Sequence, residues 1–128
     1  MKMNLTIRKM EIEDIRNVQQ IAKISWNDAY EGIIPIAIQE SFLSAAYNDE
    51  MMKRRMNHSL FFVSEVDGKM VGFANFSLVK KDGEAELGAI YLDPQYQGQG
   101  IGTALLQEGI KNLKGVKEIF INVEKEKK

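Results

Sequence analysis

Three glycines at alternate positions, Gly98, Gly100 and Gly102, follow Pro94 and lead into an apolar helical pattern that begins at Ile101. No other stretch restricts the fold of this chain so strongly. Residues 84–92 ahead of the proline read as a strand. Behind the glycines, Ile101, Leu105, Gly109, Ile110 and Leu113 recur at helical steps. The segment therefore predicts strand, turn and helix, with the helix running to about residue 114 and Gly115 ending it. Without Cβ atoms, alternate glycines let backbone N–H groups converge on one concavity. At a helix N-terminus such donors suit a phosphate or pyrophosphate. The plainer alternative is a glycine-rich connection that packs helix on strand. A Walker A loop is a poor match, because Gly102 is followed by Thr103 and Ala104 and no Lys. A dinucleotide fingerprint is also poor: the spacing is G-x-G-x-G, and the preceding strand belongs to hairpins.

The remaining patterns supply a sheet and helices around that turn. Residues 5–10 read as a first strand. Ile15, Val18, Ile21, Ala22, Trp26 and Ala29 follow a helical period, with Asp14 at its start. The pattern breaks near Gly32 and Pro35. Residues 36–57 then form one or two further helices, with a stripe of Ile38, Phe42, Ala45, Ala46, Met51 and Met52. The β-rich run from Leu60 ends at Asp67-Gly68, a hairpin signal. A second strand covers 69–79, with Gly72, Ala74, Phe76 and Leu78 on one face. Asp82-Gly83 turns the chain into the strand at 84–92, completing a three-stranded antiparallel meander. Residues 116–123 read as a last strand, and 124–128 are all charged.

The chain's 128 residues fit one domain, 1–128. Its 17 basic and 18 acidic residues leave a net charge of -1, which argues against a nucleic-acid partner held by bulk charge. With no Cys and a single His, His58, there is no thiol nucleophile, disulfide scaffold or Cys/His zinc site, and no metal centre is expected. The N-terminus lacks a long apolar core. Neither a signal peptide nor a membrane span is expected, and the chain reads as cytoplasmic.

The stretch from Glu86 to Leu106, ELGAIYLDPQYQGQGIGTALL, resembles the acetyl-CoA signature of the GNAT N-acetyltransferases. That signature, Q/R-x-x-G-x-G/A, is met by Gln97, Gly100 and Gly102. The element order is similar too, over nearly the whole chain. The resemblance implies an α/β acyl-CoA N-acyltransferase fold, a mixed and mostly antiparallel sheet flanked by helices. It also implies that the family's last helix and final two strands are missing, leaving the fold truncated at its C-terminus. Acetyl-CoA is the implied co-substrate. Backbone donors of Gln97, Gly98, Gln99, Gly100, Ile101, Gly102 and Thr103 would hold its pyrophosphate. Ile90, Tyr91 and Leu92 would pair with pantetheine as an added strand, and the N–H of Leu92 would face the thioester oxygen as an oxyanion donor.

Acetyl transfer needs a neutral amine, whose ordinary pKa is about 10.4, so its proton must be taken up. Glu86 is the candidate base, directly or through water. Strict alternation would put it on the face of Gly88, Ile90 and Leu92. No residue presents itself as general acid. Tyr96 reads as packing for the turn, and His58 as a loop or strand-start residue without a role. Trp26, Tyr30, Glu31 and Phe42 flank the acceptor side in such proteins, and Trp26 and Phe42 read as core. Parts of the helical region also resemble small bacterial polyamine N-acetyltransferases.

The function expected is acetyl transfer to a primary amine, on a small molecule such as a polyamine or on a protein. The alternatives are a truncated, catalytically weak acetyl-CoA-binding module, or a nucleotide-binding regulator using the same turn. Residues 116–123 would have no later strand to pair with. That bare edge, beside Ile119, Phe120 and Ile121, predicts a homodimer or larger assembly covering the region.

Overall fold

The computed structural model describes residues 3–121. The expected charged end at 124–128, and residues 122 and 123 of the expected last strand, lie outside the described residues. Five strands form one sheet in the order β1 (Leu5–Lys9), β2 (Leu60–Val66), β3 (Lys69–Phe76), β4 (Glu84–Leu92) and β5 (Glu118–Ile121). The first three pairings are antiparallel and β4 with β5 is parallel. A parallel pair needs a crossover, and helix α4 (Ile101–Asn112) supplies it. Helices α1 (Ile15–Tyr30), α2 (Ile36–Ala46) and α3 (Asp49–His58) fill the long connection between β1 and β2.

The sheet has a core on each face. Ile15, Val18, Ile21 and Ala22 of α1 and Met52 of α3 pack on Phe61, Val63, Phe73 and Ala89. On the other face, Ile101 and Leu105 of α4 pack on Phe62, Ala74, Phe76 and Leu87. The β2–β3 hairpin closes where Asp67-Gly68 predicts, with φ of 53° and 83° at those residues. On α4, Gly109 lies directly under the fully buried Phe76 ring, where a Cβ would collide with ring atoms.

Several elements depart from the sequence reading. Strand β3 stops at Phe76 instead of continuing to residue 79. There Ser77 closes on Glu86, its N–H donating to the Glu86 carbonyl and its Oγ accepting the Glu86 N–H. Leu78, expected on the inner face, is exposed. In α1 the inward residue at the end is Tyr30, while Ala29 is exposed. Helix α2 keeps only part of its expected stripe. Ala46 packs on the core, but Ile38 and Phe42 are 59% and 44% exposed, and the one fully buried position is Gln39, whose Nε2 donates to the Ile34 carbonyl. His58 ends α3, and Ile110 of α4 is exposed.

The alternation expected along β4 is broken by a bulge. Ala89 opposes Asn75 and Leu87 opposes Phe76, so Gly88 is the additional residue. Ala85 and Leu87 face α4, whereas Ala89 and Tyr91 face the helices α1–α3. By period-two alternation Glu86 therefore shares the face of Ala89 and Tyr91, and not that of Ile90 and Leu92. Strand β5 pairs with β4 only from Glu84 to Leu87. It is an edge among the described residues, with Phe120 and Ile121 about half exposed.

One ion cluster ties the helical layer to the sheet. The Arg8 guanidinium donates to both carboxylate oxygens of Asp14, at 2.8 and 3.0 Å, and to Glu65 at 2.9 Å. Asp14 is buried and also accepts the Glu11 N–H at 2.8 Å. Arg8 above all, with that N–H, holds the Asp14 carboxyl below its ordinary range against the opposing effect of burial.

Two outcomes follow from this packing. Because the folded-state pKa of Asp14 is depressed, its contribution is complete above the ordinary carboxylate pKa of about 3.9 and is lost as pH falls through the folded value. Asp14→Asn should lower unfolding free energy at neutral pH by about 1–3 kcal/mol. It should also flatten the loss of stability below about pH 5; urea melts of both proteins across pH check this. Gly109→Ala would gain up to about 1 kcal/mol from helix propensity, but overpacking against Phe76 should reverse the sign, for a net loss of about 1–2 kcal/mol in the same assay.

Candidate functional site

The end of β4 and the start of α4 meet in a short, tightly determined connection. Asp93 accepts the Gln95 N–H at 3.0 Å, and Pro94–Tyr96 form a single 3-10 turn. Tyr96 packs against the α4-side core, with the Lys69 ammonium 5.7 Å from its ring centre. Gly98 and Gly100 then adopt φ of 77° and 84°, left-handed positions that favour glycine. Gly100 is the residue before α4, and the fully buried Ile101 anchors the helix behind it. Alternating left-handed residues turn successive N–H groups inward, and the helix dipole adds to them. No heavy atom lies within 4 Å of where a Cβ would stand on Gly98 or Gly100, so the space above the turn is open. The first turn of α4 holds no carboxylate to repel an anion. Gln97, Gly98, Gln99, Gly100, Gly102 and Thr103 thus fit a phosphate group; Ile101 can contribute only its backbone.

The adjoining strand offers a second kind of binding surface. The Asp93 N–H donates to the Val71 carbonyl at 2.8 Å. Antiparallel alternation then turns the backbone groups of Tyr91 and Ala89 toward β3, and those of Ile90 and Leu92 toward the outer edge. Among the described residues β5 does not reach that edge. Ile90 and Leu92 thus turn their N–H groups toward that edge, while the backbone groups of Tyr91 are engaged toward β3 and leave it only its side chain. Its hydroxyl accepts from Trp26 Nε1 at 2.8 Å. The Leu92 carbonyl accepts from Ser25 Oγ at 2.9 Å.

These groups line a cleft of about 460 Å³. Ser25, Trp26, Asp28 and Tyr30 form the α1 wall, Ile90, Tyr91 and Leu92 the strand wall, and Gln97 and Gly102 the floor by the turn. Trp26 stacks on Phe42 at 4.3 Å and meets Tyr30 at 4.7 Å between ring centres. A larger groove of about 780 Å³ lies elsewhere, with Gln19, Glu40, Asn48 and Asp49 in its walls. Behind the cleft the buried Tyr47 phenol is pushed up chiefly by burial, with Arg55 4.5 Å from its ring centre.

Glu86 is not in the wall of the cleft. It lies farther back on β4, half-buried and opposite Phe120 of β5, on the side of the sheet that the bulge gives it. Trp26 is buried as expected, but Phe42 stacks on it from outside the cleft lining and is itself exposed, so it is not core. In the sequence, Ser25 and Asp28 belong to the helical region that resembles polyamine N-acetyltransferases, but neither has a role of its own. An isolated hydroxyl or carboxylate in a helix carries no signal of what it faces. Among the described residues no group of His, Asp and Glu is placed to hold a metal, and no helix is long and apolar enough to cross a membrane.

Comparison with known proteins gives this geometry a context. The chain is 33% identical to an uncharacterized N-acetyltransferase of Bacillus subtilis, YuaI, over 112 residues that cover 85% of this chain and 64% of the relative. It is 31% identical to a spermidine N(1)-acetyltransferase of Thermoplasma acidophilum, covering 88% and 72% of the two chains. The crystal structure of a PaiA N-acetyltransferase from Thermoplasma acidophilum in complex with coenzyme A superposes with a TM-score of 0.81 at 30% identity, over 88% of this chain and 73% of the other. The chain thus spans about two thirds of the length of these relatives. A profile of the acetyltransferase (GNAT) family matches residues 18–128. A glycine turn that can cradle phosphate beside an open strand edge is therefore found on the fold, and in the sequence context, of that group: this chain belongs to the GNAT acetyltransferase family.

Proposed function

We propose that this protein uses acetyl-CoA to acetylate a primary amine, with an aliphatic polyamine as the acceptor class. The observation that carries the reading is the continuity of two surfaces. The open edge at Ile90 and Leu92 suits an extended chain of amides, and it leads directly to a left-handed glycine turn suited to phosphates. Bound acetyl-CoA supplies a thioester acyl group that a neutral amine can attack, forming a C–N bond as the C–S bond breaks. The N–H of Ile90 holds a pantetheine amide, and the N–H of Leu92 is the candidate to stabilise the oxyanion. Residues Gln97 to Thr103 hold the pyrophosphate. Glu86 takes the amine proton through water, since it stands outside the cleft wall.

Two observations support a polyamine acceptor. The cleft joins an aromatic wall, Trp26 and Tyr30, to the exposed carboxylate of Asp28, which suits an alkyl chain with a second cationic centre. One relative is a spermidine acetyltransferase. The competing reading, a cofactor-binding module with little catalysis, is distinguished by turnover: release of free CoA with a panel of di- and polyamines supports the enzyme, and tight CoA binding without release supports the module.

Gly100→Asp places a side chain and a negative charge at a left-handed position facing the anion site. It should weaken CoA binding in calorimetry at least about tenfold, or about 1.4 kcal/mol; unchanged affinity would remove the turn from the site. Glu86→Gln should lower kcat/KM for the amine while leaving acetyl-CoA affinity nearly intact. Equal rates for variant and parent across about pH 6 to 9 would remove Glu86 from proton transfer.

A further inference from the structure

The peptide that joins Leu92 to Asp93 is held from both sides. Its N–H donates inward to the Val71 carbonyl at 2.8 Å. Its carbonyl accepts, on the outer edge, from Ser25 Oγ at 2.9 Å. This peptide is the corner of the site: β4 ends at Leu92, and Asp93 starts the turn that leads to Gly98 and Gly100. One residue farther along α1, Trp26 grips the side chain of Tyr91 at 2.8 Å. Consecutive residues of a helix thus fix consecutive residues of the strand, and α1 becomes the rigid reference against which the corner is set.

We propose that Ser25 is a positioning residue for the cofactor. By fixing the outer end of the Leu92–Asp93 peptide, its hydroxyl sets the angle between the open strand edge and the glycine turn. A ligand that spans both surfaces is sensitive to that angle. A group acting farther back on β4, near Glu86, is not. The inference rests on the cofactor site proposed above and adds a residue to it that touches no reacting atom. The nearest alternative, an ordinary helix–strand contact, would contribute to stability alone.

The two roles separate in measurement. Trp26 is the chain's single tryptophan and lies in the cleft beside Ser25, so its fluorescence follows CoA binding directly. Ser25→Ala keeps a good helix former and removes the donor. It should raise the CoA dissociation constant and the acetyl-CoA KM about fivefold, with kcat held within about twofold. Ser25→Thr retains the hydroxyl and should stay within about twofold of the parent, while Ser25→Cys, a weak donor of similar size, should follow the alanine variant. Parent-like CoA affinity in the Ala and Cys variants overturns the inference, as does a Thr variant as weak as Ala, or a loss confined to kcat. If the parent protein binds no CoA by fluorescence and calorimetry, the cofactor site itself falls. If the parent binds CoA and the Ala variant matches it, only the role of Ser25 falls.

Discussion

The structure turns on how β4 divides its backbone between two neighbours. Toward β3 it is hydrogen-bonded along most of its length, and its last residue hands over to Asp93, whose N–H still reaches Val71. Toward β5, among the described residues, it is paired only from Glu84 to Leu87. A backbone amide in a sheet needs a partner, and an edge without one is a template for another extended chain. The first half of β4 is therefore structural and the second half receptive. The bulge at Gly88 falls at the boundary, so that the side chains before and after it face opposite layers from those a regular strand would give.

Much of this was legible in the sequence, where local chemistry decides the outcome. The Asp67-Gly68 hairpin, the strand at 84–92 and the turn through Gly98 and Gly100 are set by backbone preferences of the residues themselves. What could not be read depends on a partner distant in sequence. The bulge exists because Ala89 and Leu87 oppose neighbouring residues of β3, a matter of register between strands. Strand β3 ends early because Ser77 finds both backbone groups of Glu86. The stripe assigned to α2 assumed that an apolar face must meet the core. In fact Trp26 of α1 meets α2 through the half-exposed Phe42, and the buried position is taken by Gln39.

The candidate site follows the same division. Its glycines announce themselves, because left-handed backbone has few alternatives in composition. The residues that orient it do not. Ser25 and Trp26 act through one hydrogen bond each to β4. Their positions matter because α1 is itself fixed to the sheet, by its apolar face and by the Arg8–Asp14 pair at its start. The chain of constraint runs from a part-buried ion pair, through a rigid helix, to the corner of the candidate site.

Helix α2 stands apart from that chain. Its contact with the core comes from Leu43 and Ala46, only partly buried, while Ile36 and Ile38 are exposed, so it has less apolar area to lose on detaching than α1. The free energy of local opening scales with such contacts, so α2 is expected to open ahead of the sheet, and its amides to exchange faster than those of the buried β3. Such an opening would leave the lining of the cleft in place, since none of its lining residues belongs to α2.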